Sequence, residues 1–509
     1  MSLLLKKLTE SEREGDGTDS WSRVAMLGLP TGFTGFDILT ATLEKDDFRF
    51  RRRLNGGLFP QVYTFTGESG TGKSTLISQL IAGSINYMSL LYPDITDAEW
   101  FYIDNEGFCQ PARISALSGW TDLEMSERLY LEKEKASPST IFNLIRKIAD
   151  LKEKNKEQLT FNTRMSSLVN ERVNVMIPTF VVIDSVANMS EIGEFEHYKD
   201  GELKDEALFG MTDGMKDSRN NTNFLKKVKP LLVKYNICLI MVNHIVPNPS
   251  IDPFAKKNKS LPWLEPDKKL KGGEQMVFQT AFLPRLKYMR GHFTENAQVY
   301  GPRIKGQINT VEFWKNKNGP EGIQYPLVFD GRYGYLPEIS DFEFLISKGY
   351  GIVGSSTYNM EILPEVKFTK KTLLDICEAN PILARAIQFT AKLYMIHSWV
   401  KYEQPPDLSE FLSLPLKDRL KMIISFTMDY PRYHSYGIKI KKEHLDEIMN
   451  SKLDFGDTTL KYFDSFARED LRNYENGYTR FLSRIRGSDA YIARKKDPKT
   501  KYIYPQESM

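Results

Sequence analysis

Across residues 60–328, short runs rich in β-branched and aromatic residues alternate with longer stretches of helical periodicity, the pattern of a mostly parallel sheet covered by helices. The clearest strand signals are VYTFTG (62–67), EWFYID (99–104), PTFVVID (178–184) and ICLIMVN (237–243). Each ends at a polar residue or a glycine, and open α/β sheets bind ligands just outside those carboxyl ends. The charged stretch 137–170 reads as one or two surface helices. Segments 191–204 and 246–271 follow neither period, and loops of that length in a compact domain are functional or disordered. Beyond residue 351 helical patterns take over, and the last hundred residues, rich in aromatic and basic side chains, follow no usable period. At the start, Leu3, Leu4, Leu5 and Leu8 share roughly one face of a short amphipathic helix.

Composition narrows this picture. The 509 residues suffice for about three domains or for one enlarged core with appendages. Hydrophobic residues at 41% and charged residues at 27% are ordinary globular values, with no apolar run long enough for a membrane helix. Cys109, Cys238 and Cys377 stand far apart without zinc or disulfide spacing, which points to a reducing, cytoplasmic setting. A net charge of +3 means that any nucleic-acid surface must come from local clusters, of which FRFRRR (48–53), AKKNK (255–259) and the basic end at 480–501 are candidates.

The strongest chemical signal is GESGTGKST at 67–75, a match to G-x-x-x-x-G-K-[ST] directly after a strand and before the apolar helical run LISQLIAG. In that setting Gly67, Gly70 and Gly72 let the N–H groups of the loop, with Glu68, Ser69 and Thr71, curl around phosphates. Lys73 reaches the β- and γ-phosphates, Ser74 offers a hydroxyl to Mg²⁺, and Thr75 completes the motif. ATP with Mg²⁺ is the expected ligand pair. Asp184, at the end of FVVID, is placed to hold the magnesium, although a strand-ending Asp is also an ordinary turn residue. Glu106, two residues past Asp104 on the neighbouring strand end, suits the orientation of an attacking water; its alternative is a surface turn.

Taken in order, GESGTGKST, FYIDNEG, FVVIDS, IMVNH, KGGEQMVF and WKNKNGP resemble the RecA-type strand-exchange recombinases, most closely the bacteriophage UvsX-like and bacterial RecA branches. The likeness runs over about 29–394. LPTGFTGFDILTA and GGLFPQ resemble the family's lead-in, interrupted by an insertion carrying FRFRRR, and two later stretches resemble its small C-terminal domain. The resemblance implies an α/β RecA-like ATPase core at 29–340, an N-terminal polymerisation segment at 1–28, a small C-terminal domain at 341–400 and an α-rich, basic extension at 401–509. It implies Glu106 as the water-activating residue and Asp184 as the magnesium-side carboxylate. Asn243 and His244 fall where the family senses the γ-phosphate, with His244 as the switch, and Arg113 stands where the family often puts a tyrosine against adenine. Lys315 and Lys317 match lysines that cross to the ATP of a neighbouring subunit. Read locally, the same lysines are edge residues beside an Asn318-Gly319 hairpin turn.

DNA contacts are expected from the two irregular segments. The second holds Phe254, Lys256, Lys257, Lys259 and Trp263 and closes on Gly272 and Gly273, an aromatic-and-cation mixture suited to single strands; a solvated surface is the plain alternative. The first leads into EALFGMTDGMKDSRNN, where Phe209, Gly210 and Met211 resemble the family's first DNA-binding loop and Lys216 and Arg219 offer charge to phosphates. By the same resemblance the partners are single- and double-stranded DNA, further copies in a head-to-tail helical filament, and single-strand-binding and mediator proteins, with no membrane. Two other classes share these motifs: a hexameric replicative helicase and a non-catalytic mediator.

Overall fold

The computed structural model describes residues 26–46, 52–91, 98–133, 136–166, 172–189, 206–247, 264–265, 267–271, 275–290, 299–379 and 381–399. Nearly all of 1–28, all of 401–509, segment 191–204 and the residues Phe254, Lys256, Lys257, Lys259, Trp263, Gly272 and Gly273 lie outside them. In chain order come α1 (Thr34–Leu39), β1 (Thr42–Asp46), β2 (Arg52–Asn55), β3 (Val62–Gly67), α2 (Lys73–Leu91), β4 (Glu99–Asp104), α3 (Pro111–Ser118), α4 (Asp122–Arg128) and β5 (Leu129–Glu132). Next are α5 (Pro138–Lys154), α6 (Lys156–Leu159), β6 (Thr160–Ser166), β7 (Arg172–Met176), β8 (Thr179–Asp184), α7 (Glu206–Lys234), β9 (Ile237–Pro247), β10 (Lys268–Leu270), α8 (Gln275–Gln279) and β11 (Phe282–Arg290). The remainder is β12 (Gly306–Asn316), β13 (Gln324–Asp330), β14 (Gly334–Tyr335), α9 (Pro337–Lys348), β15 (Ile352–Gly354), β16 (Thr357–Met360), β17 (Leu363–Thr369), α10 (Leu373–Ala379) and α11 (Pro381–Trp399).

The main sheet runs β14-β13-β12-β11-β3-β9-β8-β4-β5, with β10 added beside β9. Its pairs from β11 to β5 are parallel, and β12, β13 and β14 continue it antiparallel. Every residue of β3 and of β8 is buried, as parallel strands covered by helices on both faces require. The chain is thus α/β, with a large, mostly parallel mixed sheet flanked by helices. The register sets Gly67 beside His244 and Asp104 beside Asp184, so the carboxyl ends of β3, β9, β8 and β4 finish together.

Three stretches depart from expectation. Residues 160–166 and 172–176 pair as the antiparallel strands β6 and β7 rather than forming a second surface helix, because TFNTRMS and RVNVM alternate with period two. These two strands join β1 and β2 in a separate four-stranded sheet, so Arg52 and Arg53, the last residues of FRFRRR, belong to a strand pair. Residues 352–369 form a three-stranded antiparallel sheet, β15-β16-β17, inside the region expected to be α-rich. EALFGMTDGMKDSRNN lies within the continuous helix α7, not on a loop: Gly210 and Gly214 cost a helix about 1 kcal/mol each, too little to break a run of Glu, Ala, Leu and Met.

The 340/341 boundary falls inside α9, which starts at Pro337 and ends on the left-handed Gly349. Asp341 of that helix accepts hydrogen bonds from Thr34 and from Tyr325, which knits the first helix to the last third of the chain. Burial pushes Asp341 and Asp37 up to about 7. Among the described residues no helix is long and apolar enough to cross a membrane.

Candidate nucleotide site

The phosphate loop leaves β3 at Gly67 and enters α2 at Lys73, with Gly70 (φ 77°) and Gly72 (φ 75°) in the left-handed region that favours glycine. A side chain at Gly72 would also collide with Tyr335, whose hydroxyl lies 2.6 Å from where a Cβ would stand. Tyr335 holds the loop in place, because its hydroxyl donates to the Thr71 carbonyl at 2.8 Å and Asn309 Nδ2 donates to the same carbonyl at 3.0 Å. Gln79 of α2 in turn pairs with both backbone groups of Tyr335.

Lys73 is buried, 5% exposed, and its ammonium folds back to donate to the carbonyls of Gly67 (3.1 Å) and Glu68 (2.8 Å). Burial brings it down to about 8, against the pull of Asp184, Glu106 and Glu68. Two hydroxyls converge on Asp184 Oδ2: Ser74 Oγ at 2.6 Å and Tyr102 OH at 2.6 Å. Burial raises the Asp184 carboxyl, and those two hydroxyls offset part of the rise. Ser74 and Asp184 are hard oxygen donors beside a phosphate loop, a set that fits Mg²⁺. No cluster of three or more His, Cys, Asp or Glu side chains that could hold a metal occurs among the described residues.

Glu106 sits on the turn after β4, which Asp104 shapes by accepting from the N–H groups of Gly107 (2.9 Å) and Cys109 (2.7 Å). Glu106 Oε1 lies 2.8 Å from His244 Nε2. Burial acts upward on Glu106, but the neighbouring Ser185, the hydrogen bond with His244 and the nearby positive charge hold its carboxyl below the usual range. Asn243 accepts from the His244 N–H through its own side chain (2.8 Å), within β9. Arg113 lines the same cleft of about 280 Å³ as Ser74, Thr75, Tyr102, Glu106 and Asp184, with its guanidinium donating to the Arg332 carbonyl at 3.0 Å. A second opening, of about 540 Å³, is lined by Ser69, Glu106, Phe108, His244 and Lys271. Glu68 closes an ion pair with Lys268 at 2.5 Å, and both carboxylate oxygens of Glu265 accept from Arg285 Nη2 at 2.9 Å, with Arg285 stacked 4.3 Å over Trp314.

Every nucleotide-side candidate therefore gathers at one end of the sheet, and Lys315 and Lys317 do not. Asn316 is in register with Phe282, and Phe282 with Tyr63, so the two lysines stand level with the start of β3. At about 3.3 Å per residue that is on the order of 13 Å short of Gly67, too far for either to serve its own loop. The Asn-Gly pair is not a two-residue turn. The connection spans 317–323, and Asn316 folds it by accepting from the N–H groups of Asn318 and Gly319 (both 3.2 Å). Asn316 and Asn318 also donate to the carbonyls of Leu39 (2.6 Å) and Thr40 (2.8 Å), so the tip is tied to the first helix. Phe209, Gly210, Met211, Lys216 and Arg219 share α7, and the placement of their side chains lies outside the description.

Sequence reasoning missed Tyr102, Asn309, Tyr335 and the Glu68–Lys268 pair. For Tyr102 a signal existed: a tyrosine two residues before the end of a buried strand needs a partner for its hydroxyl. Asn309 and Tyr335 lie more than two hundred residues from the loop and carry no local signal. No protein-family profile and no curated protein matches this chain.

Proposed function

We propose that this chain is a DNA-dependent ATPase of the RecA-type recombinase kind, forming head-to-tail filaments on single-stranded DNA and catalysing homologous pairing and strand exchange. The observation that carries the reading is the convergence of Lys73, Ser74, Asp184, Glu106 and His244 at the joined carboxyl ends of β3, β8, β4 and β9, with Lys315 and Lys317 at the opposite end.

Lys73 exchanges two loop carbonyls for phosphate oxygens when ATP enters. Magnesium, when bound at Ser74 and Asp184, supplies neutralisation of charge developing on the phosphates. Tyr102 keeps Asp184 oriented, and Glu106 positions a water for in-line attack. His244 moves from Glu106 to the γ-phosphate, which frees Glu106 for water and shifts the strand end that leads to segment 248–263. Lys315 and Lys317, held by the stiff tip, meet the ATP of the adjacent copy and stabilise its transition state as an arginine finger does elsewhere. DNA is gripped by its phosphates, so affinity falls steeply with salt and depends weakly on sequence.

Electron microscopy of the protein with single-stranded DNA and a non-hydrolysable ATP analogue tests the reading. Open helical filaments are expected; closed rings would favour a hexameric helicase and overturn it. Lys315→Ala and Lys317→Ala should leave ATP binding by isolated copies intact and abolish hydrolysis on DNA, and normal turnover in both would remove the inter-subunit role.

A further inference from the structure

Three ammonium groups from three separate segments gather at the amino end of the main sheet. Lys315 comes from the end of β12, Lys317 from the connection after it, and Lys229 from the last third of α7. Lys315 Nζ donates to the carbonyls of Val277 (2.9 Å) and Phe278 (3.1 Å) in α8, and Lys229 Nζ donates to Gln279 Oε1 at the end of that helix (2.8 Å). Burial first, then the charges of Lys317 and Lys229, brings Lys315 down to about 8, with Glu321 acting in the opposite sense. Burial and then Lys317 also lower Lys229.

Like charges crowded into a half-buried place raise the energy of the isolated chain, and Lys315 and Lys229 carry that cost. A lysine whose only task was solubility would extend into water; Lys229 is half-buried and faces an amide. An arriving anion removes that penalty. The KNK segment explains two of these lysines, and Lys229 is no part of it.

We propose that Lys229 is the third lysine of an anion-receiving cluster, with Lys315 and Lys317, that meets the triphosphate bound to the next copy of this chain. The inference rests on the inter-subunit reading above and extends it to α7. Lys216 and Arg219 lie thirteen and ten residues earlier on the same helix, roughly 15–20 Å away. One helix thereby carries candidate DNA contacts on its first half and a phosphate contact for the neighbour on its second. Pro230, next to Lys229, lacks the N–H that would bond the Lys226 carbonyl, which puts the helix's weakest turn beside this contact. DNA bound along the first half of α7 sets Lys229 against the neighbour's nucleotide, which makes hydrolysis depend on DNA.

The test is subunit mixing, read as ATP turnover on single-stranded DNA. Lys229→Ala should lower turnover by about 10- to 100-fold, less than loss of a direct oxyanion donor, with ATP binding by isolated copies unchanged. Lys229→Met, which keeps the apolar stem, should lose the same amount, and Lys229→Arg should stay within a few-fold of the parent. Lys73→Ala copies have a disabled phosphate loop and intact lysines, so mixing them with Lys229→Ala copies builds complete interfaces and should restore turnover. If Lys315→Ala copies are rescued this way and Lys229→Ala and Lys229→Met copies are not, Lys229 acts within its own chain and the inference fails while the inter-subunit reading stands. If none is rescued, or if the parent shows no turnover, both fall. Parent-like turnover in Lys229→Ala alone overturns the inference directly.

Discussion

The two ends of the main sheet are electrostatic opposites. At the carboxyl end Glu68, Asp104, Glu106 and Asp184 surround one buried lysine, Lys73; at the amino end Lys229, Lys315 and Lys317 crowd together with Glu321 nearby. Burial acts against the ionised forms of Lys73, Asp184, Lys229 and Lys315, and like charge adds to it at Asp184, Lys229 and Lys315. With Lys73 and bound magnesium offsetting its charge at the acidic end of one copy, a triphosphate would give the basic end of the next its opposite charge in the proposed filament. The ends also differ in construction. The first is a product of strand register, four neighbouring strands stopping together, whereas the second depends on two asparagines tying a seven-residue connection to α1.

Substitutions at the acidic end should separate binding from chemistry. The largest effect belongs to Glu106→Gln: the amide keeps the size and a hydrogen bond to His244 but loses the charge that orients water. Hydrolysis on DNA should fall by about 10² to 10⁴-fold while filaments still assemble with ATP. Turnover within a few-fold of the parent would transfer the water-positioning role elsewhere. Next comes Lys73→Ala, which should weaken ATP binding on the order of a hundredfold by removing a charged donor from the phosphates, as titration with a fluorescent ATP analogue would show. Equal affinities would mean that the loop's backbone carries binding by itself.

That asymmetry governs what could be seen in advance. The phosphate loop, Asp184 and Glu106 are legible because their chemistry is written in contiguous residues at strand ends, and the buried runs VYTFTG and FVVID fix which strands those are. The pairing of Glu106 with His244 is not, because 138 residues separate them and only the parallel register brings them within 2.8 Å. The long helix α7 is a different failure. Its glycines and polar residues look irregular one by one, yet the summed propensity over 29 residues and its packing on the sheet carry the helix through. The strand pair β6 and β7 was hidden by charge, since Lys and Glu before it suggested more helix while the alternation that matters is confined to a few residues of each strand.

A smaller effect probes how the acidic end holds its metal-side carboxylate. Tyr102→Phe removes one of the two hydroxyls on Asp184 Oδ2 and leaves the ring in the core, so the fold should survive. The Mg²⁺ concentration needed for half-maximal ATP binding should rise by about tenfold, the scale of a lost outer hydrogen bond on a ligand, and extra Mg²⁺ should recover binding. A lowered maximal turnover with an unchanged Mg²⁺ requirement would place Tyr102 outside this role.

The smallest effect sharpens the comparison most, because it measures the cost of burying Lys73 in the acidic end without any ligand. Lys73 titrates at about 8 in the folded chain against 10.5 in the unfolded one, chiefly through burial. Between those values the unfolded state binds more protons than the folded state, so this group's contribution to stability rises as pH rises from about 8 to 10.5. Below about 8 the ammonium is charged in both states and its full burial penalty is present. Lys73→Met keeps the stem and removes the charge, so without nucleotide it should melt a few degrees above the parent at pH 7, and the gap should close as pH approaches 10. Melting curves of the two proteins across that range decide the matter. A Lys73→Met chain that melts lower at pH 7 would mean that the bonds to the Gly67 and Glu68 carbonyls outweigh burial, and that the loop is held in shape by the same lysine that must leave those carbonyls to bind phosphate.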